Sequence, residues 1–373
     1  MKLVVFQENL AKAFNTAGRF VSSRAQLPVL QNFLLEAGSN SLKISATNLE
    51  TGICLSLPVK VEKQGSICVP ARVLTEFVSS LPASKVELSV KSNKLTVLSP
   101  NYSSEFLGVS AGEFPPMPEK SKEKDLSFKK DFFLSAIDMV VFSASSDEGR
   151  PVLTGVLFIV RDNKLLLVAT DGYRLSLKTL TETDLITEEL KKGLIIPAKT
   201  LSELSRIISD LDTEEKISLN INRKASQLIF SISGVDVISR LIEGEYPDFE
   251  KIIPKENKTK INLDSQEFLR AVKIASIFAR ENANIVKLNF VKDEVEIASS
   301  TSQVGSNKNK LAVKIDGPDG EIAFNCRYLL DFLSTSKSET VNFEMDQSLS
   351  PGVFTFPSDK DYCHIIMPVR IQE

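Results

Sequence analysis

Residues 165–171 read LLLVATD, and this stretch decides the fold because the chain contains related copies of it. Residues 42–48 read LKISATN, 123 residues earlier, and residues 295–299 read VEIAS as a weaker third copy. Self-similarity in a fixed order is the signature of a repeated architecture, so we predict three repeats. A short related segment precedes each copy, namely LPVL at 27–30, RPVL at 150–153 and IVKL at 285–288.

A second block follows each copy and precedes a predicted helix. It reads ICVPAR at 67–72, IIPAK at 195–199 and AFNCR at 323–327, with offsets of 127 and 128 residues. The first two repeats close with EFPPMP at 113–118 and EYPDF at 245–249. A Lys/Glu-rich stretch follows each closing segment and indicates a solvated linker. The predicted domains are therefore 1–122, 123–257 and 258–373.

Each repeat has the same predicted layout of strand, helix, strands, second helix and further strands. In the first repeat a strand at 2–6 precedes a helix with apolar residues at Leu10, Phe14, Ala17 and Val21, which are spaced by 4, 3 and 4. The short strands alternate apolar and polar residues and are separated by turn residues, which favours antiparallel meanders. We predict an α+β fold in which two helices per domain pack on antiparallel sheets.

The composition excludes several classes of protein. The 373 residues are 42% hydrophobic and 25% charged, as in ordinary globular chains. The longest apolar runs are five residues, against the roughly 20 of a membrane span. The apolar stretch at 3–6 is shorter than the roughly 7–15 residues of a secretory signal, so we expect a cytoplasmic protein. The four cysteines form no C-x-x-C pair and His364 is the single histidine, so we expect no zinc site, no Ser-His-Asp triad and no cofactor.

The predicted helices carry a small positive surplus. They total +4 and the rest of the chain −7, which indicates helices that face a polyanion. Ordinary solvated helix faces explain the same surplus, and both interpretations stay open. The chain has no base-reading motif, so any nucleic acid would be bound through its phosphates with little sequence preference. The six predicted helices span 7–24, 71–81, 130–145, 198–210, 265–280 and 326–337.

Three segments resemble the bacterial DNA sliding clamp family, the beta subunits of DNA polymerase III. They read ATDGYRL at 169–175, YPDF at 246–249 with Ile253-Pro254 after it, and IMPVRI at 366–371. The length and the three repeats match as well. The resemblance implies three clamp-type domains and a head-to-tail homodimer closed into a ring, with helices lining the hole. It implies a non-catalytic processivity factor that encircles duplex DNA and tethers the replicative DNA polymerase.

The resemblance also implies a groove between the second and third domains. The replicative polymerase, the clamp loader and repair proteins would insert a peptide of the Gln-Leu-x-Leu-Phe type there. The family often has His in place of Tyr173 and Arg in place of Lys251, which affects partner preference, and Gln372-Glu373 would lay a carboxylate near the groove. The implied groove residues are Leu153, Thr170, Gly172, Tyr173, Arg174, Leu175, Pro247, Lys251, Ile252, Ile366, Met367, Pro368, Val369 and Arg370.

Contacts to DNA and to a second copy follow from the same resemblance. Arg24, Arg72 and Lys199 match positive positions on the inner face of the ring, where they would contact the DNA phosphates. An apolar contact would join the two chains of the dimer. Its residues would be Phe77, Phe106 and Leu107 of one chain, facing Ile277 and Phe278 of the other.

The motifs also have purely structural interpretations. Asp171-Gly172 is a type I′ hairpin signal, Tyr246-Pro247-Asp248 is typical of a turn, and 365–369 reads as a terminal strand. Two other functions compete with the clamp: a carboxylate-based, metal-dependent phosphoester hydrolase using Asp171, and a scaffold that binds no DNA. The hydrolase would need several acids converging on Mg²⁺, whereas the turn alone is a sufficient role for Asp171.

Overall fold

The computed structural model describes residues 1–22, 27–122, 125–181, 188–222, 226–254, 256–281, 283–301, 305–335 and 337–370. Two compact units contain these residues. The first combines Met1–Asp131 with Glu203–Leu241, and the second combines Phe132–Ser202 with Ile242–Glu373. The middle third of the chain therefore contributes to both units. The domain boundaries near 122 and 257 stay a prediction.

The described ranges contain seven α-helices and 26 β-strands. Six helices correspond to the predicted ones, and the five-residue α4 is additional. The helices are α1 Gln7–Gly18, α2 Ala71–Ser80, α3 Lys130–Val140, α4 Glu188–Lys192, α5 Ala198–Ser209, α6 Ser265–Ala279 and α7 Cys326–Leu333.

The strands alternate with these helices along the chain. Up to the middle of the chain they are β1 Lys2–Phe6, β2 Asn32–Ala37, β3 Ser41–Thr47, β4 Thr51–Pro58, β5 Lys60–Lys63, β6 Gly65–Pro70, β7 Lys85–Lys91, β8 Lys94–Ser99, β9 Tyr102–Leu107, β10 Leu126–Phe128, β11 Gly155–Arg161, β12 Lys164–Thr170 and β13 Arg174–Leu180. They continue as β14 Leu194–Pro197, β15 Ile217–Asn222, β16 Gln227–Ile232, β17 Val235–Arg240, β18 Thr259–Asp264, β19 Ile285–Val291, β20 Glu294–Thr301, β21 Gly305–Ala312, β22 Lys314–Asp316, β23 Gly320–Asn325, β24 Thr340–Met345, β25 Gly352–Phe356 and β26 Asp359–Ile366.

Three helices end four to six residues earlier than the sequence predicts, and the other three end one residue earlier. α1 ends at Gly18, and glycine costs about 1 kcal/mol relative to alanine inside a helix. α3 passes at Val140 into a 3₁₀ turn, Val141–Ser143. α7 ends at Leu333, because the hydroxyls of Ser334 and Thr335 donate to the carbonyls of Leu330 and Phe332 at 2.7 Å and so satisfy the last turn.

These helix ends remove most of the predicted positive surplus, so the value of +4 is wrong for the observed helices. Arg19 and Arg280 cap the ends of α1 and α6. Lys337 lies beyond α7, and Arg24 lies outside the described residues. A cation just past a helix C-terminus interacts favourably with the helix dipole. Stabilising a helix end is therefore a sufficient role for Arg19 and Arg280, two of the charges that suggested a polyanion.

The first unit contains a five-stranded sheet in the order β5-β1-β7-β8-β9 and an eight-stranded sheet in the order β10-β15-β16-β17-β4-β3-β2-β6. Their strand pairs are antiparallel. The predicted helix face is buried at Leu10, Phe14 and Ala17, and the Phe14 ring stacks on Phe33 with centroids 5.2 Å apart. Val21, the fourth predicted member of this face, lies beyond the end of α1.

The second unit contains a nine-stranded sheet in the order β14-β11-β12-β13-β26-β25-β24-β18-β22 and a four-stranded sheet in the order β21-β20-β19-β23, again with antiparallel pairs. Its core contains contacting rings of Phe324, Phe332, Phe343 and Phe354, for example Phe343 and Phe354 at 4.7 Å. The α+β class with helices packed on antiparallel sheets is confirmed. No helix among the described residues is long and apolar enough to cross a membrane.

Candidate functional site

The turn between β12 and β13 is built by side chains that cap its backbone. The Thr170 hydroxyl donates to the Arg174 carbonyl at 2.6 Å and accepts from Gly172 N–H at 3.1 Å. The Asp171 carboxylate accepts from the N–H groups of Tyr173 and Arg174 at 2.8 and 3.0 Å. Gly172 has φ +93°, whereas Asp171 does not have a positive φ. The predicted type I′ turn is therefore wrong, because that turn needs positive φ at both central residues.

The first unit contains a second copy of this turn, between β3 and β4. The Thr47 hydroxyl donates to the Thr51 carbonyl at 2.8 Å and accepts from Leu49 N–H at 3.0 Å. The Asn48 side-chain oxygen accepts from the N–H groups of Glu50 and Thr51 at 3.0 and 2.7 Å. The repeat that the sequence predicts thus extends to individual hydrogen bonds. Only the copy in the second unit carries an arginine at its last position.

Arg174 is held on several sides. Its Nε donates to Asp171 at 3.1 Å, its Nη1 to Asp331 at 2.6 Å, and its Nη2 to the Phe142 carbonyl at 2.7 Å. The guanidinium carbon lies 4.6 Å from the Tyr328 ring centroid and 5.4 Å from that of Phe142. The side chain is 10% exposed. Its planar group is therefore held in one orientation.

An apolar cluster lies beneath the segment 246–253, and we name it the central cluster. The segment is anchored by Tyr246, whose hydroxyl donates to the Val168 carbonyl at 3.3 Å and accepts from Thr170 N–H at 3.1 Å. Burial raises the pKa of Tyr246, so its hydroxyl stays protonated as a donor. The cluster contains Leu157, Ile159, Val168, Leu175, Ile195, Phe249, Val353 and Ile365, with Val152, Leu166, Leu177, Ile242, Tyr246, Ile252, Ile253 and Cys363 packed against it.

Neighbouring residues of β26 belong to different clusters. Ile365 pairs with Leu175 across the β13–β26 ladder and joins the central cluster. Ile366 pairs with Arg174 and belongs to the core of the C-terminal repeat. The structure therefore does not bring Ile366 to Leu175 and Ile252, and it adds Ile365, which the prediction missed. Side chains alternate between the two faces of a strand, so the pairing register decides which residue of β26 shares a face with Leu175. Ile365 does so because it is the direct partner of Leu175.

The residues after β26 form backbone hydrogen bonds with two other segments of the chain. Met367 N–H donates to the Tyr173 carbonyl, and Val369 N–H donates to the Ala323 carbonyl, both at 2.8 Å. The tail therefore closes one side of the Thr170–Arg174 turn. A depression of about 470 Å³ lies beside it, lined by Glu321, Ile322, Ala323, Ser348, Leu349, Val369 and Arg370.

The other predicted groove residues lie around this core. Leu153 is buried in a 3₁₀ turn, Pro151–Thr154. Tyr173 is 60% exposed and Met367 38% exposed. Pro247 is also exposed. Lys251 donates to Asp248 in an exposed ion pair at 2.8 Å, which raises the pKa of Lys251 and lowers that of Asp248. Gln372-Glu373 lies outside the described residues. The second unit thus combines a buried apolar cluster with the exposed side chains of Tyr173, Met367 and Lys251.

The predicted DNA contacts are placed only in part. Arg72 lies on α2 with a 90% exposed side chain and an ion pair to Glu76 at 2.9 Å. Lys199 is exposed on the first turn of α5. Arg24 lies outside the described residues. Lys12, a cation of the first predicted helix, donates to the Asp210 carbonyl at 2.9 Å, just past the end of α5.

The predicted dimer residues lie in two kinds of environment, exposed and at least partly buried. Leu107 is 73% exposed and Ile277 56% exposed. Phe106 is buried and meets Phe77 edge to face at 5.5 Å, and Phe278 is half-buried. Leu107 closes β9, which stands at the end of its sheet. Of the five predicted residues, Leu107 and Ile277 are therefore the two with mostly exposed side chains.

Two carboxylates that could suggest a catalytic site have structural roles, and two buried thiols are protonated. The Asp171 carboxylate accepts hydrogen bonds from the turn backbone and from Arg174. Asp359, in one of the Asp-x-Asp segments of the chain, forms an ion pair with the buried Lys178. Burial raises the pKa of Cys68 to about 11 and of Cys363 to about 12, so both thiols stay protonated at neutral pH. Among the described residues no three His, Cys, Asp or Glu side chains are grouped to hold a metal ion.

Comparison with known proteins gives three successive matches along the chain. Residues 1–118 match the N-terminal domain of the DNA polymerase III beta subunit, residues 127–248 its central domain, and residues 250–370 its C-terminal domain. Curated relatives include the beta sliding clamps of Staphylococcus epidermidis and Staphylococcus aureus. Each is 29% identical over 381 residues, with 99% of both chains covered.

Solved structures agree with these matches. The DNA polymerase sliding clamp of Bacillus subtilis superimposes with a TM-score of 0.93 at 29% identity. The sliding clamp of Bartonella birtlesii, solved with griselimycin bound, gives a TM-score of 0.94 at 28% identity. In both cases 100% of each chain is covered. With three domain matches in the order of the three predicted repeats, the chain belongs to the family of bacterial DNA polymerase III beta subunits, the beta sliding clamps.

Proposed function

We propose that this protein is the processivity clamp of a bacterial replicase: a head-to-tail homodimer that encircles duplex DNA and tethers the DNA polymerase. The observation that carries the proposal is the succession of N-terminal, central and C-terminal domain matches over nearly the whole chain. We take the domains as 1–122, 123–257 and 258–373. The protein would act in the cytoplasm, where bacterial DNA is replicated, and would need no cofactor.

Ring closure would use two sheet ends: β9, which carries the exposed Leu107, and β21, which packs against α6, the helix that carries the exposed Ile277. β9 ends the five-stranded sheet of the first unit, and β21 ends the four-stranded sheet of the second. An unpaired sheet edge is a template for another strand. Joining β9 of one chain to β21 of its partner would cover Leu107 and Ile277, supported by Phe77, Phe106 and Phe278. Two such contacts would close the dimer.

DNA would be held by enclosure more than by strong contacts. The chain has a net charge of −3, and the observed helix ends leave few free cations within the helices. Arg24, Arg72 and Lys199 would supply weak contacts to phosphates, without sequence preference. Weak contacts suit a protein that must slide.

The central cluster and its rim would receive short peptides of the Gln-Leu-x-Leu-Phe type from the polymerase, the clamp loader and repair proteins. Leu153, Leu175, Ile252 and Ile365 would form the apolar floor for the leucine and phenylalanine side chains. Arg174, pre-oriented by four neighbouring residues, would donate to the peptide backbone, while Tyr173 and Met367 would cover the peptide.

A hydrolase is the weaker candidate and no observation favours it. Its required cluster of free carboxylates would have to include Asp171, which already accepts from two backbone N–H groups and from Arg174. We therefore infer an accessory role without chemistry.

Loading onto DNA circles tests the function. The protein would be loaded by a bacterial clamp loader with ATP onto nicked circular plasmid, and the bound fraction isolated by gel filtration. We expect the clamp to remain on the circle and to be lost after the plasmid is linearised, since only a ring depends on a closed DNA path. Equal retention on linear and circular DNA would contradict enclosure, and no retention on either would favour a scaffold that does not bind DNA.

A further inference from the structure

The single histidine of the chain, His364, is buried on β26, on the strand face that also carries Ile366. It pairs with Ser176 across the β13–β26 ladder, and its ring has no exposed surface. Its Nδ1 lies 2.8 Å from Ser176 Oγ, which lies 2.7 Å from Ser143 Oγ. Both serines are fully buried. A continuous hydrogen-bonded chain therefore connects His364 to the 3₁₀ turn Val141–Ser143.

Ring contacts link His364 to the same turn. The imidazole stacks on Phe332, with centroids 5.0 Å apart and planes 5° apart. On another side its centroid lies 5.4 Å from that of Phe142, the residue before Ser143. The turn is thus fixed both by a hydrogen bond to Ser143 and by packing against Phe142.

This turn is also a support of Arg174. The Phe142 carbonyl accepts from Arg174 Nη2 at 2.7 Å, and the Phe142 ring lies against the guanidinium. Of the three acceptors of Arg174, this is the one supplied by backbone, so its position depends on the turn and not on a side-chain rotamer. Arg174 and Ser176 are two residues apart on β13 and project from the same sheet face.

The imidazole performs this role in its neutral form. Burial, followed by the charge of Arg174, lowers the pKa of His364 well below its ordinary value. A neutral ring does not repel the guanidinium, so hydrogen bonding and shape can support Arg174 without an electrostatic cost.

We propose that His364 is a positioning residue of the peptide groove, which acts through Ser176, Ser143 and Phe142 to hold Arg174 in the orientation that receives a partner peptide. The proposal rests on the proposed function of the groove. Without the histidine, Ser176 would lose a hydrogen-bond partner and Phe142 would lose a packed ring, so the turn that carries the backbone acceptor of Arg174 would be held less firmly. Peptide binding would then have to order the arginine, which weakens affinity.

Peptide titrations test the role of His364. The probe is a fluorescein-labelled peptide containing Gln-Leu-Ser-Leu-Phe, measured by anisotropy on the full chain. His364→Phe keeps an aromatic ring but removes Nδ1, and we expect about tenfold weaker binding. His364→Asn places a polar atom near the Nδ1 position and should recover part of the loss. Ser143→Ala, a smaller change, should also weaken binding. Ser45→Ala removes a buried serine hydroxyl in the first unit and should leave the affinity unchanged.

A double-mutant cycle separates positioning from general destabilisation. Arg174→Ala should weaken binding, and adding His364→Phe to it should cause no further loss, because the arginine that His364 supports is gone. Additive losses would overturn the proposal, and so would wild-type affinity in both His364→Phe and Ser143→Ala. If the wild-type chain bound no peptide, the groove assignment itself would fail, a result distinct from both.

Discussion

At the scale of single residues, the two copies of the Thr-Asx turn show how one backbone accepts different side chains. Leu49 occupies the place of Gly172 and has φ +76°, while Gly172 has φ +93°. A leucine in this region is strained, because its Cβ crowds the carbonyl oxygen. The hydrogen bonds of Thr47 and Asn48 hold it there. The sequence pattern predicts the turn but not the strain, since the two copies differ at this residue.

Relieving this strain should stabilise the first unit. Leu49→Gly and Leu49→Ala remove the same half-exposed side chain, but only glycine is at ease at positive φ. We expect the glycine variant to be more stable than the alanine variant by about 1 kcal/mol, seen as a higher midpoint of thermal unfolding. Equal midpoints would mean that the turn relaxes around a Cβ.

His364 should give the protein a distinctive dependence of stability on pH. Its folded pKa lies below the unfolded value of about 6.5. The unfolded chain therefore takes up a proton that the folded chain refuses, and stability falls as the pH drops below about 6.5, by up to about 1.4 kcal/mol per pH unit. Above that pH the effect vanishes.

Thermal midpoints between pH 5 and pH 8 measure this dependence. His364 is the single histidine, so His364→Phe should flatten the curve between pH 5 and 6.5. The carboxylates titrate mostly below this window and act as an internal reference in both proteins. An unchanged slope in the variant would show that another group is responsible.

At the scale of elements, apolar periodicity located the six long helices but not all of their ends. Backbone groups at the ends are satisfied by Ser334 and Thr335 at α7 and by the 3₁₀ turn after α3, and such local hydrogen bonds leave no periodic signal. The same limitation explains why the predicted groove residues include Ile366 and not Ile365. The sequence predicts a terminal strand at 365–369, whereas β26 spans Asp359–Ile366, and the register of β26 with β13 depends on tertiary pairing.

The C-terminal tail can be tested apart from the strand that precedes it. Removing residues from 368 onward deletes the hydrogen bond from Val369 to Ala323 but retains the buried Ile366. We expect a folded dimer with peptide binding reduced at least tenfold, measured by anisotropy beside circular dichroism. A truncation that also removes Ile366 and Met367 should lower the thermal stability of the second unit, because Ile366 is a core residue. Full-strength binding by the shorter truncation would exclude the tail from the site.

At the scale of the whole molecule, the repeats could be predicted from sequence because related segments recur along the chain. The family could be predicted because several of its motifs occur in the chain. The groove residues come from separated segments, and their order in the sequence does not determine which face of the sheet they share. The proposed dimer contact is even harder to predict from sequence. Leu107 and Ile277 differ from ordinary exposed apolar residues only because a second chain would cover them.

Dimer formation should depend on the exposed pair more than on the supporting phenylalanines. Leu107→Asp and Ile277→Asp place a charge where the chain is open to solvent, so each variant should fold yet sediment as a monomer at micromolar concentration. Leu349→Asp is the matched control, since Leu349 is 56% exposed like Ile277 but lies outside the proposed interface. Dimers that persist in both interface variants would show that the contact lies elsewhere.

The placement of β9 and β21 at the ends of different sheets means that each chain carries one contact surface of each kind. Unlike surfaces close into a ring only at the right rotation. A chain damaged at one surface still offers the other, so a mixture of Leu107→Asp and Ile277→Asp chains should assemble pairs with one intact and one broken joint. Such gapped pairs would enter circular DNA without a loader and leave it as easily, and in a cell they would sequester polymerase away from productive templates.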